Sequence, residues 1–443
     1  MSTRSIHLVG AGGAGMSALG VLALGQGWTV SGTDRDDGPG LDALRAAGAA
    51  VRVGHSADAI PEAVDAVVAS TAIPDTNPEL ARARDRGLPV LHRSDLLVML
   101  MEGHRGLAVA GAHGKSTTTA MLSLALGGAT VCVGAEVPWG RGTGAAWGEG
   151  PWFCAEADES DRSLLRLAPQ AAILLNVDHD HHATYASVEE VEQVFREFVA
   201  ALPPDGLLVA GPDPRAHAVA ASARCPVRMV GDVDGAWARV AGDQLLLADG
   251  HALDLAIAAP GAHNRDNAAC AVALAEWCGV APAEAIARIR AFTGVGRRFE
   301  HKGTAAGVRV VDDYAHHPAE VTATLRAARD HHPGRVVAVF QPHLYSRTRE
   351  LAAQFGEALS AADMVVVTDV YAAREDPEPG IDGDLVLRSV SGPQEILSVP
   401  RLADVPAVIA PDLRAGDLVL TMGAGDITTL GPMILAALGG PDA

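Results

Sequence analysis

Residues 107–120 read LAVAGAHGKSTTTA, an apolar run that predicts a buried strand, then a glycine-containing turn, then a segment that predicts the start of a helix. A complete phosphate-binding loop has the pattern G-x-x-x-x-G-K-[ST], but Val109 stands five positions before Gly114. The turn is therefore a shortened form of such a loop. Backbone N–H groups at the helix start and the ammonium group of Lys115 can still hold phosphate oxygens, and Ser116 stands where a hydroxyl binds Mg²⁺.

Lysine usage supports the phosphate interpretation. Of the 34 basic residues only Lys115 and Lys302 are lysines, and all the others are arginines. A lysine is a compact charge on a thin stem, which fits inside a loop wrapped around phosphates better than the wide guanidinium fork of arginine. The alternative is a surface lysine that follows the glycine by chance.

Composition indicates an α/β enzyme of two to four domains, since the chain has 443 residues, 49% of them hydrophobic, and 48 glycines. The net charge of −20 argues against a nucleic-acid partner or an anionic membrane surface. No signal peptide or membrane-spanning run is recognisable. The five cysteines lack C-x-x-C spacing, which disfavours a zinc site and favours the cytoplasm.

Strand, turn and helix patterns recur in three segments, for which we expect boundaries at residues 1–102, 103–299 and 300–443. The first segment predicts a small doubly wound domain, in which Ser94 caps a helix. The second predicts a mostly parallel sheet covered by helices on both faces. A third α/β unit follows the Gly-Arg-rich piece at residues 294–303.

The first segment contains a literal G-x-G-x-x-G at Gly10, Gly12 and Gly15, and Asp34 lies 19 residues further on. This spacing is the dinucleotide fingerprint, in which a helix start faces a pyrophosphate. The pattern leaves open whether the ligand is NAD or another nucleotide that carries a diphosphate.

Two acidic or histidine-rich segments follow strands of the second segment. Glu156 ends one predicted strand and is followed closely by Asp158, Glu159 and Asp161, which would repel one another unless cations lie near. We favour a metal partner of the phosphate loop over a solvated acidic turn. The histidines of NVDHDHHATY favour one functional imidazole over a zinc cluster.

Further candidates lie at helix starts and strand ends. Asn264 and Asn267 cap a helix or recognise adenine, and Arg298 clamps a phosphoryl group or pairs with an acid. In the third unit, basic side chains at strand ends predict a carboxylate site. Those side chains are His316, His343, Arg347 and Arg349.

Taken together, the motifs resemble the Mur ligases of bacterial cell-wall synthesis, most closely the branch that adds L-alanine. The matching pieces run in the family's order over nearly the whole chain: LVGAGGAGMSALG, SGTD, AGAHGKSTTT, EADESDRSLL, NVDHDHHATY, GAHNRDNAA, GVGRRFE, DDYAHHPAEV, FQPHLYSRT and MGAGDI. The resemblance implies a Rossmann-like N-terminal domain for the UDP moiety, a central P-loop ATPase and a Rossmann-like C-terminal domain for the amino acid. It also implies ATP and Mg²⁺, and amide formation between UDP-N-acetylmuramate and L-alanine through an acyl phosphate.

By motif match, the resemblance also assigns site residues. The ATP site would comprise Gly111, Ala112, His113, Gly114, Lys115, Ser116, Thr117, Asn264, Asn267, Arg298 and Asp313. The Mg²⁺ ligands would be Ser116, Glu156 and His181. The UDP site would comprise Gly12, Gly13, Ala14, Gly15, Met16, Ser17, His55, Ser70 and Thr71. The L-alanine site would comprise His316, His343 and Arg347. The catalytic group would be Lys115, Glu156, His181, Arg298, His316 and Arg347.

Departures from the family pattern bear on the amino-acid site. Leu344 stands where many relatives have arginine, which puts the amino-acid preference in question, while Ala112 and Ala183 replace a threonine and an aspartate. Lys302 lies at the junction and cannot serve as the carbamoylated lysine of sister ligases, which favours the alanine-adding branch. The alternatives are a ligase that recycles a tripeptide onto the same sugar, a nicotinamide-dependent dehydrogenase and a non-catalytic ATP-binding module. A monomer or weak homodimer is expected.

Overall fold

The computed structural model describes residues 4–179, 184–373 and 375–440. The chain divides into two compact units. The first comprises Met1–Ala258 and Asn264–Val295, and the second comprises Ala259–His263 and Gly296–Ala443. No helix in the described ranges is long and apolar enough to cross a membrane.

The first unit begins with a five-stranded, all-parallel sheet of order β3-β2-β1-β4-β5. Its strands are β1 (Ser5–Val9), β2 (Thr29–Asp34), β3 (Ala50–Val53), β4 (Ala66–Ala69) and β5 (Val90–His92). Its helices are α1 (Ala14–Gly25), α2 (Pro39–Ala47), α3 (Pro78–Asp85) and α4 (Arg93–Met101). The strand order reverses at β1, so a crevice for a ligand opens beside the carboxyl ends of β1 and β4.

A second, seven-stranded sheet in the same unit has the order β12-β11-β10-β6-β9-β7-β8, and only the β7–β8 pair is antiparallel. Its strands are β6 (Arg105–Ala110), β7 (Thr130–Cys132), β8 (Ala145–Ala146), β9 (Trp152–Glu156), β10 (Ala171–Leu174), β11 (Leu207–Ala210) and β12 (Val227–Met229). A small antiparallel sheet follows, made of β13 (Ala238–Ala241), β14 (Gln244–Leu247) and β15 (Ala252–Asp254). The helices are α5 (Lys115–Ala125), α6 (Val188–Ala200), α7 (Pro214–Ala220), α8 (Ala262–Trp277, in this unit from Asn264 onward) and α9 (Pro282–Ile289).

Burial explains why these segments fold as they do. The central strands β6 and β10 are almost wholly buried, because helices cover both faces of a parallel sheet. In α6 the buried side chains recur at helical spacing and pack against this sheet. Those side chains are Val191, Val194, Phe195, Phe198 and Val199.

The second unit contains a six-stranded sheet of order β16-β17-β21-β18-β19-β20, parallel except for the β16–β17 pair. Its strands are β16 (Glu300–Ala305), β17 (Val308–Asp313), β18 (Val336–Phe340), β19 (Met364–Val367), β20 (Glu395–Ser398) and β21 (Leu418–Met422). Its helices are α10 (Pro318–His331), α11 (Tyr345–Leu359), α12 (Gly383–Leu387), α13 (Val405–Ile409) and α14 (Leu430–Ala437). The prediction of an α/β chain with mostly parallel sheets is confirmed.

One local prediction is wrong. Ser94 does not cap α4, because the helix begins at Arg93 and its cap is His92, two residues before Ser94. The imidazole of His92 accepts a hydrogen bond from the backbone N–H of Ser94, and Asp95 accepts one from the backbone N–H of His92 at 2.8 Å. This reciprocal arrangement is a capping box with histidine in the position usually held by serine or threonine.

Candidate functional site

The phosphate loop lies between the carboxyl end of β6 and the start of α5. Gly111 and Gly114 have φ angles of +135° and +85°, which L residues rarely adopt, so both turns depend on glycine. The side chain of Asn176 holds the loop from beyond β10: its amide oxygen accepts from His113 N at 2.8 Å and its amide nitrogen donates to His113 O at 3.0 Å. The amide of Asn267 lies against Gly114 on the other side.

Lys115 is folded back onto its own loop. Its ammonium group donates to the carbonyl oxygens of Gly111 at 2.6 Å and Ala112 at 3.1 Å, and it pairs with the carboxylate of Glu159 at 3.0 Å. Glu159 is only 2% exposed and Lys115 16%. Burial opposes the charge of Lys115, but the neighbouring carboxylates, Glu159 foremost, outweigh it and raise the pKa of the lysine. The loop therefore keeps a permanent cation.

Glu156 ends β9, the strand beside β6, and faces the start of α5. Burial raises the pKa of Glu156, against hydrogen bonds from the Ser116 hydroxyl and the backbone of Gly134. Its Oε1 atom is buried and has no hydrogen-bond partner among the described residues. Carboxylate and hydroxyl oxygens are the ligands that Mg²⁺ prefers, so this orphaned atom beside Ser116 fits a divalent cation. His181, the third expected ligand, lies outside the described residues.

Cationic side chains lie beside the acidic segment that follows Glu156 and balance its negative charge. Arg93, the first residue of α4, donates through Nη2 to Asp158 and to Asp161, the latter at 3.3 Å. This contact joins the first and second sheets of the first unit. A cleft lies here, and its walls include Gly15, Arg93, Glu156 and Asp158. Neither Arg93 nor Asn176 was predicted. Asn176 follows the buried strand β10, whereas Arg93 follows β5, whose side chains are all at least partly exposed.

The glycine-rich turn after β1 lies at the carboxyl edge of the first sheet. Gly12 N donates to Asp34 Oδ2 at 2.8 Å, so the carboxylate at the end of β2 supports the turn itself. His55 follows β3 at the same edge, and Ser70 and Thr71 follow β4. The remaining residues predicted for the UDP site form the turn and the first turn of α1, which begins at Ala14. They are Gly13, Ala14, Gly15, Met16 and Ser17.

In the second unit a charged group and an aromatic group lie near the end of β17. Arg298 is partly exposed and pairs with Glu320 at 3.2 Å. Asp313 accepts from Phe299 N at 2.7 Å and from Ala315 N at 2.8 Å, and burial raises its pKa to about 6. These contacts fix the buried carboxylate of Asp313 at the end of β17.

The aromatic group contains both of the histidines that were predicted to bind an amino acid. The rings of His316 and His343 are 6.2 Å apart, and His343 stacks on Tyr371 at 5.7 Å. Leu344 precedes α11 with a φ of +72°, and Arg347 is buried one turn later. Tyr371 was not predicted, because it reaches His343 from a distant loop.

Three family profiles match the chain. They are described as Mur ligase family, catalytic domain (residues 5–105), Mur ligase middle domain (residues 154–275) and Mur ligase, glutamate ligase domain (residues 297–425). Together they confirm the predicted three-domain organisation.

Similar proteins agree with the profiles over almost the full length. The UDP-N-acetylmuramate--L-alanine ligase of Kineococcus radiotolerans is 48% identical over 98% of this chain and 96% of its own. The enzyme of the same name from Streptomyces coelicolor is 44% identical over 98% and 97%. The crystal structure of the UDP-N-acetylmuramate-alanine ligase of Thermotoga maritima is 27% identical, covers 98% of both chains and has a TM-score of 0.82. The chain belongs to the Mur ligase family.

Proposed function

We propose that this protein is an ATP-dependent ligase that joins L-alanine to the lactyl carboxylate of UDP-N-acetylmuramate. The observation that carries the proposal is the meeting of Lys115, Ser116 and Glu156 at the adjacent ends of β6 and β9. Relatives with 44–48% identity over nearly the whole chain carry that activity in their names, which supports the same assignment for this chain. The reaction contributes to peptidoglycan precursor synthesis.

The first chemical step is phosphoryl transfer. An oxygen of the lactyl carboxylate attacks the γ-phosphorus of ATP, the bond to ADP breaks, and an acyl phosphate forms. Positioning and charge neutralisation dominate such a step. Lys115 would exchange its loop carbonyls for the β- and γ-phosphate oxygens, and the N–H groups at the start of α5 would hold the same anion. Residues 111–117 would form the cradle, with Asn267 against its glycine turn.

Ser116, Glu156 and His181 would hold Mg²⁺. When bound, the ion neutralises charge on the transferring phosphoryl group and on the substrate carboxylate. Arg298 would contact the γ-phosphate, Asp313 the ribose and Asn264 the adenine. Asp313 suits ribose because its carboxylate lies at the end of β17 with both oxygens already oriented by backbone N–H groups.

The second step is amide formation. The amine of L-alanine attacks the acyl carbon, phosphate leaves, and the amine loses a proton. His316, His343 and Arg347 would orient the amino acid. Because Leu344 offers no charge where many relatives have arginine, Arg347 would be the principal partner of the alanine carboxylate.

A rival ligase would attach a tripeptide to the same sugar. The assay that decides is phosphate release with ATP, Mg²⁺ and UDP-N-acetylmuramate against a panel of L-alanine, glycine, L-serine and the tripeptide. L-alanine should give the highest kcat/KM. A preference for the tripeptide would replace the proposal with the recycling ligase, and no release under any amino acid would indicate a non-catalytic module.

A dehydrogenase would use the glycine-rich turn but would leave Lys115, Ser116 and Glu156 without a role. Titration of NADH fluorescence tests this directly, and we expect no stoichiometric response. A cytoplasmic location, a monomer or weak homodimer, and the domain boundaries at residues 102 and 299 stay predictions.

A further inference from the structure

A buried carboxylate lies beneath the carboxyl edge of the first sheet. Glu79, in the first turn of α3, is 0% exposed and lies far in sequence from every strand that it touches. Its Oε2 meets Nε2 of His7 at 2.8 Å, and its Oε1 meets Nδ1 of His55 at 2.9 Å. Glu79 therefore links β1 to the residue that follows β3.

Other donors complete the shell of this carboxylate. The hydroxyl of Thr33, on β2, lies 2.8 Å from both oxygens, and the backbone N–H of Ser56 donates to Oε1 at 3.2 Å. Burial acts to raise the pKa of Glu79, but hydrogen bonds from His7, Thr33 and His55 outweigh it and lower the pKa. The group is therefore an ionised carboxylate with every contact made by a donor.

An ionised carboxylate only accepts hydrogen bonds, which decides where the proton of His55 resides. Nδ1 of His55 lies 2.9 Å from Oε1 of Glu79 and 2.9 Å from the hydroxyl oxygen of Thr33. Because the carboxylate offers no proton, Nδ1 carries the proton of the ring. The ring is 20% exposed, and the nitrogen left for any ligand is Nε2. A neutral ring held in this way presents Nε2 as an acceptor, whose partner is an N–H or O–H group.

The position of His55 determines what such a ligand would be. The glycine-rich turn after β1, Asp34 at the end of β2 and His55 after β3 share one edge of a parallel sheet, where nucleotides bind in folds of this kind. We propose that Glu79 is a positioning residue for nucleotide recognition. It fixes the ring and the Nδ1 proton of His55 so that Nε2 accepts a hydrogen bond from the uridine part of the nucleotide sugar. This inference rests on the proposed function, since it takes UDP as the occupant of the first domain.

The test measures UDP affinity by calorimetry in the full-length protein. Glu79→Met has similar volume but no acceptor, and it should weaken UDP binding about tenfold, as should His55→Ala. Because Glu79 acts through His55, the double variant should bind UDP no more weakly than His55→Ala alone. ADP affinity should stay unchanged throughout. Glu62→Met, at an exposed glutamate of the same domain, is the matched control.

Losses that multiply in the double variant would overturn the proposal, as would unchanged UDP affinity in Glu79→Met. A measurement on the unmodified protein guards against a variant that fails to fold. Nitrogen-15 spectra of the histidines should show His55 protonated at Nδ1 alone, and a proton on Nε2, with or without one on Nδ1, would contradict the inference. If the unmodified protein binds ADP but not UDP while His55 is protonated at Nδ1, the assigned UDP site fails instead, and the nucleotide role of Glu79 fails with it.

Discussion

Replacement of Lys115 by methionine should have two separable consequences, one for catalysis and one for stability. The substitution removes the ammonium group that pairs with Glu159, and this carboxylate is only 2% exposed. Breaking a buried ion pair from one side costs about 3–5 kcal/mol, because the remaining charge stays buried without its partner. Lys115 keeps 16% exposure, so water relieves part of this penalty and we expect about 2–4 kcal/mol.

The double variant Lys115→Met/Glu159→Gln separates the two consequences. Glutamine carries no charge, so the double variant should regain most of the lost stability, while phosphate release should stay abolished in both. Thermal unfolding should show the single variant about 4–16 °C below the parent protein, at roughly 2–4 °C per kcal/mol. UDP affinity should be retained.

The chain supplies its own control, since Lys302 is the only other lysine. It pairs with Glu300 at 2.8 Å, but both side chains are partly exposed, and such pairs contribute about 0–1 kcal/mol. Lys302→Met should therefore change the unfolding temperature by no more than about 4 °C, and it should not change the rate of phosphate release. The two roles assigned to Lys115 are refuted if the single and double variants unfold at the same temperature, or if the double variant still releases phosphate.

Three further predictions concern individual side chains. Glu156→Gln should raise the unfolding temperature measured without Mg²⁺, because burial raises the pKa of Glu156 and its Oε1 atom lacks a partner among the described residues. The same variant should lower the rate of phosphate release by at least about a hundredfold. Activity equal to that of the parent protein would exclude this carboxylate from the site. Burial raises the pKa of Asp266 from 3.8 to about 6. Ionisation of Asp266 therefore destabilises the folded state progressively as the pH rises from about 4 to 6, and the full destabilisation is reached above about pH 6. Asp266→Asn should stabilise the protein by about 1–2 kcal/mol at pH 8 and progressively less towards pH 4. Chemical denaturation at both pH values measures this difference, and a variant that is less stable than the parent protein at pH 8 would contradict the prediction. Leu344→Gly should raise the unfolding temperature by a few degrees, since a leucine at a φ of +72° costs about 1–3 kcal/mol of stability. An unfolding temperature below that of the parent protein would mean that the leucine side chain stabilises the fold by more than its backbone strain destabilises it.

Local motifs could be predicted from the sequence because their chemistry is local. The strand, turn and helix at residues 107–120 form as expected, since the glycines occur where positive φ angles are needed. The acidic segment after Glu156 was expected to require nearby cations. The structure supplies Lys115 and Arg93, which the repulsion between four carboxylates demands.

The partners of those motifs could not be predicted, because they come from distant parts of the chain. Asn176 reaches the phosphate loop from 63 positions away, and Glu79 reaches His7 across 72. Nothing in their immediate neighbours distinguishes them from ordinary helix-start or loop residues. Tertiary packing alone decides which polar side chain meets a given loop. The start of a helix can also differ from its prediction by two residues, as the cap of α4 at His92 instead of Ser94 illustrates.

Transfer of the γ-phosphoryl group to the lactyl carboxylate is the central step of the proposed mechanism. Oxygen-18 in that carboxylate of UDP-N-acetylmuramate provides the most direct measurement, because the attacking oxygen stays with phosphorus when the amine displaces phosphate. With ATP, Mg²⁺ and L-alanine, the released phosphate should carry one labelled oxygen per amide formed. Phosphate free of label would contradict the acyl-phosphate route and, with it, the proposed roles of Lys115 and Glu156.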